Sequence, residues 1–275
     1  MKKILLLCLA FALCFCLLAA CGSDTASLAD SDTIVVGASV TPHAVILSQV
    51  VDAMAEKGYT LQIEEFNDYV LPNTATESGE IGANFFQHYQ YLDDFNAEND
   101  THLVAVAAIH YEPFGIYAGK TASIEDLAEG ATIAVPNDGT NEARALLLLE
   151  QQGLITLKED ASMTTATKID IEENPLGLDI QEVEAAQLPR SLADVDLAVI
   201  NGNYAIQAGL NAAEDALAIE DKDSEAIRSL YANVLVVKEG NEEAPVVQAL
   251  IECLQSEEVR AFMEEEFGGA VIPMF

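Results

Sequence analysis

The sequence predicts an α/β chain folded as two lobes around a cleft. Three observations carry that expectation. Short apolar runs bounded by turn residues alternate with longer helical patterns. Polar residues gather where the apolar runs end. About 255 residues follow an apolar leader, a length that suits two cores better than one. In such folds ligands collect beyond the carboxyl ends of the strands, so those ends are where function should be sought.

The elements follow in order. Lys2 and Lys3 precede an unbroken apolar run from Ile4 to Ala20, the charged start and apolar middle of a secretory signal peptide. The run is just long enough to span a bilayer. It ends, however, in Leu18-Ala19-Ala20-Cys21, which looks like the lipobox of bacterial lipoproteins. Residues 1–20 are therefore expected to be removed, with Cys21 lipidated and residues 21–32 forming a small, polar, flexible tether. Thr33–Ser39 reads as a buried strand. Thr41-Pro42 reads as the N-cap and first residue of a helix running to about Lys57, stopped by Gly58.

Leu61–Phe66 and Leu103–Ile109 read as strands. Ser123-Ile-Glu-Asp126 resembles a capping box opening a short helix that ends at Gly130. Ala131–Val135 is a strand, followed by the turn Pro136-Asn137-Asp138-Gly139 and a helix from about Thr140 to Gln152. Asp196–Ile200 and Val234–Val237 are later strands, and helices near 244–255 and 256–267 close the chain. The alternation argues for mainly parallel sheets.

Charge narrows the partners. The 275 residues hold 46 Asp and Glu against 12 Lys and Arg, a net charge of −34, and no acidic residue precedes Cys21. Nucleic acid and anionic lipid head groups are poor partners for such a surface. Membrane attachment then falls to the lipid, since no later stretch is long and apolar enough to span. Of five cysteines, Cys8, Cys14 and Cys16 leave with the leader and Cys21 carries lipid. Cys253, inside an apolar helical pattern, remains as a buried, inert thiol, so no internal disulfide can form.

The strand ends hold the informative side chains. Asn141 and Arg144 lie three apart at a helix start, so both can project from one face of its first turn. Arg144 is one of few cations, and its planar fork can grip a carboxylate through two parallel hydrogen bonds. It could equally pair with a nearby acidic side chain. Asn201 and Asn203 follow a buried strand, as Asn137 follows its own. An Asn amide offers both donor and acceptor to a zwitterion, although Asn-Gly is also common in turns. Phe85-Phe86-Gln87-His88-Tyr89-Gln90-Tyr91, with Phe66 and Tyr69 upstream, could wall a flexible apolar ligand or simply form core. His43, His88 and His110 suit hydrogen-bonded structural roles better than metal ligation, and no His-x-x-x-His or Cys-x-x-Cys spacing occurs.

Catalytic motifs fail. Gly115-Ile-Tyr-Ala-Gly119-Lys120-Thr121 has three residues between its glycines where a phosphate-binding loop needs four, and no G-x-S-x-G is present. No catalytic activity, cofactor or metal is expected. An exported enzyme acting on an amino-acid derivative, or a lipid-anchored adhesin or sensor, would be the competing classes.

At these residues the sequence resembles the NlpA/MetQ family of methionine-binding lipoproteins, receptors of methionine ABC importers. The likeness runs from about Ile34 to the C-terminus. Thr41-Pro-His-Ala44, Glu65-Phe-Asn-Asp-Tyr-Val70, Asn84-Phe-Phe-Gln-His-Tyr89, Ala131-Thr-Ile-Ala-Val-Pro-Asn137, Glu184-Ala-Ala-Gln-Leu-Pro-Arg190, Ala198-Val-Ile-Asn-Gly-Asn-Tyr204 and Gly268-Gly-Ala-Val271 carry it. The resemblance implies a two-lobed periplasmic-binding-protein fold of type II kind. One lobe would be discontinuous, 33–115 plus 236–275, and the other would be 116–235. It implies that Arg144 pairs with a ligand carboxylate, assisted by Asn141. Asn203, Asn233 and Asn201 would hold the amino-acid backbone, and Tyr69, Phe86, His88, Tyr91 and His110 would line the side-chain pocket.

By the same resemblance the ligand is L-methionine, another methionine form or a methionine-containing dipeptide. The partners are an ABC permease and ATPase complex, and the location is the extracytoplasmic face of the cell membrane, as a lipid-anchored monomer. One departure stands out. Where the family often reads Asp-Ser-Pro-Tyr-Ala-Asn, this chain reads Asp223-Ser-Glu-Ala-Ile-Arg-Ser-Leu-Tyr231-Ala-Asn233, which puts the placing of Asn233 and lobe closure in question.

Overall fold

The computed structural model describes residues 28–275, so the leader and the lipidation site Cys21 lie outside the described residues. Residues 28–32, expected as the end of the tether, are docked instead. Leu28 is buried in the first core, its N–H donates to Asn241 Oδ1 at 3.1 Å, and Leu28–Asp30 forms a single 3-10 turn. One apolar side chain with a place to pack suffices to pin the segment.

The first sheet grows from β1 (Thr33–Ser39), whose Ile34, Val36 and Ala38 are fully buried. The expected single helix after it is two, α1 (His43–Ser48) and α2 (Val51–Glu56). Pro42 takes the N-cap position and offers no side-chain acceptor, and Val50 leaves helical geometry with its side chain buried in the core. β2 (Thr60–Phe66), α3 (Leu71–Ser78), β3 (Ala83–His88), α4 (Tyr89–Asn99) and β4 (Leu103–Tyr111) follow. β2 and β3 flank β1 in parallel, and every residue of β3 is buried.

The chain then builds a second sheet. β5 (Gly115–Ala118) and β6 (Thr132–Pro136) are joined by turns. The short helix expected at Ser123 is absent: the segment forms bends and turns, with the Ser123 hydroxyl donating to the Asp126 carboxylate at 3.0 Å. α5 (Gly139–Gln151) is capped by Asp138, whose side chain accepts the Asn141 N–H at 3.0 Å. It stops at Gly153, where φ is +71°, a conformation that suits glycine. A small ribbon of β7 (Thr156–Leu157) and β8 (Ile171–Glu173) precedes β9 (Asp179–Val183), α6 (Leu188–Ser191), β10 (Leu197–Ile200), α7 (Gly202–Gln207) and β11 (Ala218–Ile219). The sheet order is β11-β5-β10-β6-β9, with β9, β6 and β10 parallel.

α8 (Glu225–Leu230) leads back into the first sheet through β12 (Ala232–Lys238). β12 inserts between β3 and β4, antiparallel to both, so the chain rejoins the first sheet four residues ahead of the expected boundary at 236. That sheet is mixed rather than mainly parallel for a topological reason. β4 leads out of it and β12 leads back in, so these neighbours must oppose each other. α9 (Pro245–Leu254) and α10 (Glu257–Phe267) bury Val246, Val247, Leu250, Leu254, Val259 and Met263 in the same core, with Cys253 a buried free thiol. β13 (Ile272–Pro273) closes the edge beside β4. Among the described residues, no helix is long and apolar enough to cross a membrane.

Candidate functional site

The cleft lies where the strand ends of the two sheets face each other. Nine of the ten ligand-site residues expected from the sequence line it: Tyr69, Phe86, His88, Tyr91, Asn141, Arg144, Asn201, Asn203 and Asn233. His110 does not. It lies one layer back, fully buried against His43 and Phe85, because it precedes the strand end that reaches the cleft by two residues.

Arg144 has the acidic partner that one of its sequence readings expected. Its Nε donates to Glu220 Oε2 at 3.0 Å, and one Nη donates both to Glu220 Oε1 and to the Glu112 carbonyl. The guanidinium is sandwiched between the Phe114 ring at 4.8 Å and the Tyr231 ring at 4.1 Å. Burial pulls its pKa down, but the adjacent Glu220 carboxylate more than offsets this and keeps it charged. Glu220 also accepts from the Tyr111 hydroxyl at 2.5 Å and the Phe114 N–H at 3.0 Å. The acidic partner is therefore real, and Arg144 still lines the cleft with Nη1 free of any hydrogen bond among the described residues.

The asparagines divide their atoms in a telling way. Asn141 is a hub: its Oδ1 accepts from Asn201 Nδ2 at 2.9 Å and from His88 Nε2 at 3.3 Å, while its Nδ2 donates to Asp138 at 2.7 Å. The His88 tautomer follows from the Tyr91 N–H, which donates to Nδ1 at 3.1 Å and so leaves the proton on Nε2. Burial and the nearby Arg144 charge push the His88 pKa down to about 3, which keeps the ring neutral. Asn203 Oδ1 accepts from the Tyr69 hydroxyl at 2.5 Å, which leaves Nδ2 buried without a partner. Asn201 is the reverse case: its Nδ2 is used and its Oδ1 is buried without a partner. One orphan donor and one orphan acceptor thus belong to residues that line the same cleft. Buried polar atoms are rarely left unpaired, and such atoms in a cleft point to a ligand.

Gln87, Glu112 and Gly202 also line the cleft and were not foreseen. Glu112 follows an apolar strand run and precedes Pro113, so the strand-end rule that selected Asn201 would also have found it. Gln87 is locked by Asn73 and Asn84, with bonds of 2.6 to 2.9 Å. Glu220, after a two-residue strand, carried no sequence signal. Burial pushes the Glu112 carboxyl above its ordinary value, opposed by His43, Arg144 and the Asn203 N–H. His43, His110 and Glu112 place ligating atoms within 4.8 Å of one another. A metal-bound histidine nearly always donates its other ring N–H to a carbonyl or carboxylate, and neither Nδ1 here has a partner. The trio fits a hydrogen-bonded carboxylate better than a metal centre. Tyr69, Phe86 and Tyr91 supply the apolar wall, with ring centroids 5.6 to 6.0 Å apart.

Two α/β lobes closed on a polar cleft define the architecture of substrate-binding proteins. Comparison with known proteins makes this specific: residues 34–275 match the model of the NlpA lipoprotein family, and the chain belongs to that family. The methionine-binding lipoprotein MetQ of Bacillus subtilis (strain 168) is 39% identical over 260 residues, covering 94% of this chain and 93% of the relative. A solved nutrient-binding protein from Burkholderia cenocepacia, bound to methionine, is 42% identical with a TM-score of 0.82, covering 88% of this chain and 100% of its own. A periplasmic substrate-binding protein of an ABC transporter from Coxiella burnetii is 40% identical with a TM-score of 0.80, over 88% of this chain and 100% of its own.

Proposed function

We propose that this chain is the lipid-anchored, extracytoplasmic receptor of an ABC importer, and that it captures L-methionine or a close relative in the cleft for delivery to the permease and ATPase complex. One observation carries the reading. The cleft offers unused donors at Arg144 Nη1 and Asn203 Nδ2 beside an unused acceptor at Asn201 Oδ1, and beside the Glu112 carboxylate, whose oxygens keep lone pairs beyond those taken by His110 and the Asn203 N–H. That is the complement of a zwitterion: donors for the α-carboxylate, acceptors for the α-ammonium. Tyr69, Phe86 and Tyr91 then receive a flexible apolar side chain such as a thioether. The names of the relatives agree with this ligand and with transport. Anchoring rests on Cys21 and on the lipoprotein character of the family.

Magnitudes favour the polar contacts as the main source of affinity. Burying an aliphatic side chain contributes roughly 1.5–3 kcal/mol, whereas micromolar to nanomolar capture needs about 8 to 12 kcal/mol. The test is the melting shift of ligand-stripped protein with L-methionine, D-methionine, glycyl-methionine, leucine and glutamate, in wild type and Arg144→Ala. A shift selective for methionine forms that disappears in the variant supports the reading. Equal shifts across the panel, or an unchanged shift in Arg144→Ala, would sink it.

A further inference from the structure

Charge in the cleft is unevenly matched. Arg144 and Glu220 cancel each other, whereas Glu112 is 6% exposed and pairs with no Lys or Arg among the described residues. What the Glu112 carboxylate has instead is two imidazoles. His110 Nε2 lies 2.7 Å from Oε1 and His43 Nε2 lies 3.5 Å from the same atom. Both rings are fully buried, which pushes their pKa values down to about 3 and about 4, so each is neutral and carries one proton.

The position of that proton follows from the partners. His43 Nε2 also faces Asn233 Oδ1, an acceptor, at 3.0 Å, and His110 Nε2 faces a carboxylate oxygen, so both protons sit on Nε2. The two Nδ1 atoms, buried without partners, are then bare lone pairs. Phe85 sets its edge against both rings, with centroids 4.7 and 5.3 Å away, and fixes their aim. Gly202 completes the seat: a Cβ there would lie 2.6 Å from Glu112 Cβ and 2.7 Å from Oε2, so only glycine admits the carboxylate to this place.

We infer that His110 and His43, which do not line the cleft, are positioning residues for recognition: the His110 Nε2–H donates to Glu112, the His43 ring, bonded to Asn233, stands against the same oxygen, and together they hold the carboxylate aimed and ionised for the ligand's ammonium. This rests on the assignment of Glu112 as ammonium partner under the proposed function. A buried carboxyl without such donors takes up a proton, and a protonated oxygen no longer accepts from an ammonium. The groups that act on Glu112 are His43 on α1, His110 on β4, Arg144 on α5 with its partner Glu220 beyond β11, the Asn203 N–H on α7, and the phenols of Tyr69 and Tyr117.

The test has one arm that needs no ligand and one that does. In the unliganded wild type, imidazole nitrogen NMR should find both rings protonated on Nε2, and a Nδ1–H tautomer at either ring would overturn the inference. Carboxyl-carbon NMR, with Glu112 assigned by Glu112→Gln, should show its pKa higher in His110→Leu and restored in His110→Gln, whose amide replaces the donor. An unmoved pKa leaves His110 a purely structural role and overturns the inference. If His110→Leu fails to fold, His43→Leu takes its place and should raise the pKa by less, the contact being longer.

In the second arm, L-methionine affinity should fall as the pH drops through the Glu112 pKa. His110→Leu should move that fall to higher pH, and in a Glu112→Gln background it should cost less than about twofold. A uniform loss at every pH, added in full on Glu112→Gln, would overturn the inference. Silence of wild type towards L-methionine in this arm, with the first arm as expected, would strike the proposed ligand and not the positioning pair.

Discussion

Tyr69 donates its hydroxyl to Asn203 Oδ1 at 2.5 Å, joining the segment after β2 in the first sheet to the start of α7 beyond the second. The bond does two things. It ties the lobes together across the cleft, and it uses the acceptor of Asn203 so that only Nδ2 remains for a ligand. His88 with Asn141, Thr140 with Asp94, and Tyr204 with the Asn67 carbonyl cross the same seam at 3.3, 2.6 and 3.3 Å.

Removing the tie should weaken capture without harming the fold. Tyr69→Phe keeps the ring against Phe86 and Tyr91 and loses one hydrogen bond, so L-methionine affinity should fall about five- to tenfold, roughly 1 to 1.5 kcal/mol. Calorimetry checks the affinity and a melting curve the fold. A loss above about a hundredfold would mean that the Tyr69 hydroxyl itself bonds the ligand.

Glu220 should matter to stability as much as to binding. Glu220→Gln leaves the buried Arg144 charge without its partner, a change worth about 3 kcal/mol or more. For a chain of this size the melting temperature should drop by roughly 6–12 °C. Thermal unfolding of the unliganded protein decides it, and an unchanged midpoint would show Arg144 to be solvated by the cleft.

Much of this arrangement was legible in the sequence. The buried strands and polar strand ends pointed to the α/β class and to Asn141, Arg144, Asn201 and Asn203, because apolar periodicity and turn chemistry are local signals, whereas Asn233 and the aromatic wall came from the family resemblance. What was not legible depends on long-range pairing. Glu220 is 76 residues from Arg144, and His43 is 190 from Asn233. The break at Val50 and the docking of Leu28 likewise come from packing against a core that no local window contains.

The five extra residues before Tyr231 leave Asn233 in the lining of the cleft. α8 loops them out, half-buried or exposed, while β12 keeps Asn233 opposite His88 and His110 through its ladders with β3 and β4. Replacing Glu225–Leu230 by one proline should therefore leave L-methionine affinity within about threefold, since loop length costs little. A larger loss by calorimetry would assign α8 a direct part in closure.

Stability should show the buried histidines in acid. His43, His88 and His110 are pushed by burial to about 4, about 3 and about 3, below the ordinary 6.5. The unfolded chain takes up protons below about pH 6.5 that the folded chain refuses, so each ring makes the fold less stable as pH falls towards 4. The slope is about 1.4 kcal/mol per pH unit per ring. Glu112 and Asp138, raised by burial, act in the opposite sense just above their ordinary values. Denaturant unfolding of His88→Gln against wild type should isolate one ring, the variant losing one proton's worth less between roughly pH 6.5 and 4. Parallel pH curves would mean that His88 is not held neutral.

The most direct measurement is calorimetric titration of L-methionine into the ligand-stripped chain lacking residues 1–23. One site per molecule, with a dissociation constant between about micromolar and nanomolar and an affinity lost in Arg144→Ala, is the result expected. No heat up to about millimolar methionine from a folded sample, or equal binding of leucine, would contradict the assignment of this cleft to methionine.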